Sequence, residues 1–122
     1  SEAGELTAAR ALIVDPRGFV YVADGGGRRV SVFHPDGRPG FDFAAAGEPG
    51  SRGAPSGLAL LGDGSLLVLE LEPVRLARYS ADGTWLGDVA VKEVLAAPVA
   101  VAAAPEGFYL LDGGLGEVLH VG

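Results

Sequence analysis

The chain has 122 residues, with 9 basic residues against 16 acidic ones and a formal net charge of −7. That length makes one domain, and the acidic balance argues against DNA, RNA or anionic lipid as the main partner, because the molecule's field repels each of them. There is no Cys, which excludes disulfides and thiolate metal sites, and no apolar run reaches the ~18 residues of a membrane helix.

Glu2 and Glu5 stand where the start of a signal peptide would be basic, so none is expected. Ser1 in place of Met points to a processed chain or one excised from something longer. The 20 Gly and 8 Pro separate short apolar runs. Ala11–Val14 and Phe19–Ala23 read as two strands joined through Gly18. Val30–Phe33 is a third strand, and Asp36-Gly37 after it is a hairpin signal, since Gly tolerates positive φ. Phe41–Ala44 is a weaker fourth. The order then repeats: Gly57–Leu61, Leu66–Leu69, Val74–Tyr79, the turn Asp82-Gly83, and Trp85–Val89. Val89 to Ala104 is rich in Ala, a helix former, but Pro98 interrupts it, and Val91–Ala97 reads as a loop or a single helical turn. Val99–Ala104, Phe108–Leu111 and Val118–Val121 complete a set of ten to twelve short strands.

The order is a repeat. Leu12 to Asp24 aligns with Leu58 to Glu70, and Val30 to Gly37 aligns with Leu76 to Gly83, both at an offset of 46. A third copy starts at Pro98, 43 residues after Pro55. A period of this length with four strands per copy is that of a propeller blade. Shorter leucine-rich repeats and helical HEAT-type repeats fit less well. The expected fold is all-β, with blades at about 9–46, 55–90 and 98–122, the last one lacking its fourth strand. Glu5-Leu6-Thr7 is a candidate for a very short extra strand.

At these positions the sequence resembles the NHL-repeat family. The first copy carries Val20-Tyr21-Val22-Ala23-Asp24, Arg29-Val30 and Phe33. The second has Pro55-Ser56-Gly57-Leu58-Ala59-Leu60, Gly64, Arg75-Leu76 and Tyr79. The third has Pro98-Val99-Ala100-Val101, Gly107, Tyr109 and Asp112. Glu70 replaces the motif's Asp, Glu117 stands where Arg would be, and Gly27 replaces a loop Asn. The resemblance implies a propeller of five or six blades. Three blades form half of a six-bladed ring, so the expected assembly is a closed homodimer. Its joining flanks would carry Phe19, Tyr21, Val22, Phe108, Tyr109 and Leu110.

Groups able to do chemistry are few. Asp24, Glu70 and Asp112 occupy equivalent strand ends and could ring a cation, but recurrence in every repeat favours turn capping or pairing with Arg29 and Arg75. His34 and His120 lie two blades apart, and two His without Cys make a poor zinc set. The resemblance implies lyases built on several His around a metal, which this chain does not reproduce. Gly25-Gly26-Gly27-Arg28-Arg29 lacks the Lys and hydroxyl of a phosphate loop. No Ser stands in a nucleophile motif. No metal or cofactor is expected. Arg28, Arg29, Arg75 and the strand-borne Trp85 are the candidate binding residues. The expected function is a non-catalytic scaffold for a protein or peptide. One alternative is a lyase or lactone hydrolase whose site needs residues beyond this chain. The other, suggested by basic NHL domains, is RNA binding.

Overall fold

The computed structural model describes residue 6 and residues 8–26, 28–44, 54–71, 74–91 and 97–121. Eleven strands form three antiparallel sheets among these residues. Blade one contains β1 (Ala9–Val14), β2 (Val20–Asp24), β3 (Arg29–Phe33) and β4 (Pro39–Ala44), in that order across the sheet. Blade two repeats it with β5 (Ala54–Leu60), β6 (Leu66–Leu71), β7 (Arg75–Tyr79) and β8 (Trp85–Asp88). Blade three has β9 (Pro98–Ala103), β10 (Phe108–Asp112) and β11 (Glu117–Val121). The expected strands are all present. The expected Glu5-Leu6-Thr7 strand lies outside the described residues, apart from Leu6, as does most of the expected loop at 91–97.

The repeat extends to irregularities in the ladders. The register shifts where the first strand meets the end of the second, at Ala9/Ala11, at Pro55/Gly57 and at Leu111/Asp112. It shifts again between the third and fourth strands, at Val32/Phe33 and Arg78/Tyr79. Pro39 and Pro98 open their strands, where a missing N–H costs no ladder bond. Gly83 has φ 91°, and a Cβ there would meet the Phe43 ring at 2.7 Å. Gly is therefore required twice over, by the turn and by the approach of blade two to blade one.

Cores form between the blades, because alternate residues of each strand face opposite neighbours. Tyr21, Ala23, Val30 and Val32 of blade one bury against Leu58, Leu66, Val68, Ala77 and Tyr79 of blade two. The other face of blade two, with Ala59, Leu67, Leu69 and Leu76, buries against Phe108 and Leu110 of blade three. The central strand β6 is covered on both sides, which explains its unbroken Leu-Leu-Val-Leu run.

This arrangement corrects the expected flanks. Tyr21, Val22, Phe108 and Leu110 are buried and Phe19 is half-buried, while only Tyr109 is exposed. Tyr21, Phe108 and Leu110 face blade two. The outward apolar residues are Leu12 and Val14 on β1, 63% and 56% exposed, and Tyr109, Leu111 and Val118 on blade three.

Candidate functional site

The first strands β1, β5 and β9 lie side by side and form the walls of a groove of about 630 Å³. Its walls are aliphatic, from Leu12, Val14, Leu58, Leu60, Val99 and Val101. Among the described residues, Arg10, at the start of β1, is the groove's one ionisable side chain. Its guanidinium is so close to Gly25 that a Cβ there would lie 2.3 Å from Nε. Such a surface binds by apolar contact and offers one fixed positive charge.

The three repeat-equivalent carboxylates lie at the strand ends, and all are fully buried. Asp24 Oδ1 accepts the Ala8 N–H at 2.8 Å, and the Gly25 N–H donates to the Ala8 carbonyl at 3.0 Å. Blade three has the same clasp: Asp112 Oδ1 accepts from Ala97 N–H, and Gly113 N–H donates back to the Ala97 carbonyl, both at 2.9 Å. Each aspartate thereby fastens the segment entering the first strand of its own blade. Glu70 is one methylene longer and reaches elsewhere. It accepts from Arg75 at 2.7 Å and from the Tyr79 hydroxyl at 3.0 Å. Burial pushes the Glu70 carboxyl above its ordinary range, and the Tyr79 and Arg75 donors offset this only in part. No group of three or more His, Asp or Glu converges on a possible metal position among the described residues.

The candidate cations are mostly engaged. Arg29 is buried, with Asp24 Oδ2 at 3.4 Å and Asp42 at 2.8 Å. Arg75 pairs with Glu70 at 2.7 Å and reaches Asp88 at 3.8 Å. The third strand of each complete blade thus opens on an Arg that pairs with an Asp of the fourth strand. Asp42 and Asp88 are themselves 46 residues apart, a repeat visible in the sequence but missed there. Trp85, on β8, donates its indole N–H to Asp88 at 3.2 Å. Arg28 is exposed, with φ 54°, and no ion pair holds it among the described residues. Arg75 and Trp85 thus meet at Asp88 on blade two, while Arg28 and Arg29 belong to blade one.

The histidines belong to separate blades. His34 is half-buried and stacks on Phe19, with ring centroids 5.3 Å apart. His120 stacks on Tyr109 at 5.0 Å, and its Nε2 lies 2.8 Å from the Glu106 carbonyl. A further network closes the β1–β2 turn. Asp15 takes the Arg17 guanidinium and the backbone N–H groups of Arg17 and Phe19, and the buried Tyr21 hydroxyl lies 3.3 Å from it. Burial alone would raise the Asp15 carboxyl, but these donors hold it below its ordinary value.

No protein-family model matches the chain, and no curated protein matches it. Solved structures do. The chain is similar to the virginiamycin B lyase of Staphylococcus aureus, with a TM-score of 0.70 over 93% of this chain at 16% identity. A streptogramin B lyase gives the same TM-score and coverage at 15% identity. Hydrazine synthase of Kuenenia stuttgartiensis follows with a TM-score of 0.66, covering 98% of this chain at 14% identity. The likeness is one of fold. The chain spans 40% of each lyase and 36% of the synthase chain. Its three antiparallel sheets resemble partial propeller blades. No helix among the described residues is long and apolar enough to cross a membrane.

Proposed function

We propose that the chain forms one arc of a propeller enzyme of the lyase kind, providing substrate-binding walls while the reacting groups come from outside these three blades. The observation that carries this reading is the groove across β1, β5 and β9. It has the volume of a small-molecule site. Yet Arg10 is its one ionisable residue among the described residues, and proton transfer in an elimination needs a positioned acid or base. The similarity of fold to two lyases supports the choice of enzyme class.

The test is a titration of the chain with virginiamycin B, followed by chromatography of the mixture. Saturable binding without loss of the parent compound is expected, with Val99→Asp on β9 weakening it by about fivefold or more through the lost apolar contact. Turnover by the chain alone would refute the external origin of the reacting groups, and absence of binding would refute the substrate class.

A second copy completing a six-bladed ring is the assembly that accompanies this reading. It is favoured by the apolar side chains left outward at both ends of the arc, Leu12 and Val14 on blade one and Tyr109, Leu111 and Val118 on blade three. The RNA-binding alternative is not carried further: Arg17, Arg29, Arg38, Arg75 and Arg78 are all ion-paired.

A further inference from the structure

The strand ends opposite the Asp24 and Asp112 clasps carry the β1–β2, β3–β4, β5–β6 and β7–β8 turns, and every residue of these four turns is described. Where the β1–β2 turn of blade one meets the β7–β8 turn of blade two there is a cavity of about 280 Å³. It lies within the junction of the two complete blades. Phe19, Tyr21 and Phe41 of blade one give it aromatic walls, and Asp82 of blade two faces them. The aromatic rim is particular to this junction. The residues 46 further on from Phe19, Tyr21 and Phe41 are Ser65, Leu67 and Gly87. Groups that hold the blades together recur, as Asp42 and Asp88 do, and these rings do not.

Two of the three rings are already engaged. The Tyr21 hydroxyl lies 3.2 Å from Arg17 Nη2 and 3.5 Å from the Ala81 carbonyl across the junction. The Arg17 guanidinium sits over the Phe19 ring at 4.6 Å, and His34 stacks on the same ring. Phe41 is the ring left partly in water, at 39% exposure. The charges are unequal too. Arg17 is balanced by Asp15, with Nη2 2.8 Å from Oδ2. At Asp82 the Ser80 hydroxyl, the Thr84 hydroxyl and the Thr84 N–H all donate to Oδ1. Oδ2 has no partner among the described residues, and no cation pairs with Asp82 there. The Ser80 and Thr84 donors hold its carboxyl below the ordinary value, so it is ionised at neutral pH. One negative charge is thus left over beside a free π face. Both attract a cation. Apolar walls favour a cation wrapped in methyl groups, because a bare ammonium or metal ion would lose hydration that rings do not replace.

We propose that the cavity between the β1–β2 and β7–β8 turns binds an alkylated ammonium group, held against Phe41 and paired with Asp82. Nothing in this depends on the lyase-type reading, since the cavity shares no residue with the groove across β1, β5 and β9.

Choline and its uncharged carbon analogue, in which a tert-butyl group replaces the trimethylammonium, separate charge from bulk. Each is titrated into the isotope-labelled chain, with the amide resonances of residues 17–21 and 81–83 as the readout. Choline should shift these resonances and bind about fivefold tighter than the analogue, as expected for one cation–π contact with a partly exposed ion pair. In the Asp82→Asn variant, whose amide oxygen can still accept from Ser80 and Thr84, that preference should vanish. Phe41→Leu should weaken choline by about threefold. A trimethyllysine peptide gives the source of the group: tighter binding than choline places it on a polypeptide, weaker binding makes it a free compound, and either supports the site. Equal binding of choline and its analogue, shifts confined to other residues, or a preference kept in a folded Asp82→Asn chain would each overturn the proposal. The comparison of choline with its analogue on the unaltered chain stands even if a variant fails to fold.

Discussion

Asp15 illustrates how one side chain can organise a turn and leave a measurable signature. It is almost wholly buried and holds four donor hydrogen bonds from Arg17 and Phe19. Its carboxyl is held below the ordinary value of 3.8. A folded-state value below the unfolded one means that the unfolded chain binds more protons in the window between them. The stability from Asp15 is then fully present above the ordinary carboxylate range and is lost as pH falls through the lowered value. Asp15→Asn should lower stability near neutral pH and flatten the acid limb of the profile, measured by urea unfolding from about pH 2 to about pH 7, a range that spans the ordinary carboxylate values. An unchanged acid limb would show that the network contributes nothing. Glu70 has the opposite sign. Its raised value adds stability at low pH that fades as pH rises through it, so the two residues partly offset one another in the wild-type curve. Neither sign was legible in the sequence, which showed acidic residues at turns but not which donors would surround them.

At the level of elements, much was legible because the signals are local. Apolar runs bounded by Gly, Pro and Asp located the strands, and the offset of 46 grouped them into blades. The structure adds which side of each strand meets which neighbour. Alternation gives two faces but does not say which face is inside the arc, so it leaves Tyr21, Phe108 and Leu110 as readily on the open flanks as against blade two, where they pack. The outcome gives a contrast that can be measured. Leu69 on β6 is fully buried between blades two and three, and the missing side chain at Gly57 lets it and Val101 close the junction. Leu69→Ala should cost about 3 kcal/mol, the range for a truncated core leucine. Leu111→Ala, on the outward face of blade three at 41% exposure, should cost less than about 1 kcal/mol. Comparable losses in denaturant unfolding would show that the outward face is covered in solution.

The whole molecule poses the question of its two ends. At both internal junctions one kind of face packs on the other. The Tyr21/Ala23 face of blade one meets the Leu66/Val68 face of blade two, and the equivalent Leu67/Leu69 face of blade two meets Phe108 and Leu110 of blade three. The arc therefore ends with one face of each kind outward, the condition for head-to-tail joining. The ends are not equally open. Blade three exposes Tyr109, Leu111 and Val118, whereas on the outward side of blade one Leu12 and Val14 are exposed but Val22 and Ser31 are buried. Joining would start along β1, at the axis. The expectation is a weak, concentration-dependent dimer rather than an obligate one. In sedimentation equilibrium at micromolar concentration and above, the weight-average mass should rise towards two chains. Val14→Asp and Leu111→Asp, at opposite ends of the arc, should each return it to one, because both contribute to every junction of a closed pair. A single-chain mass at all concentrations would remove the dimer and leave both ends to be covered by other polypeptide. A mass that climbs past two chains would mean that the arc keeps the curvature of the lyases and joins into open strings instead of a ring.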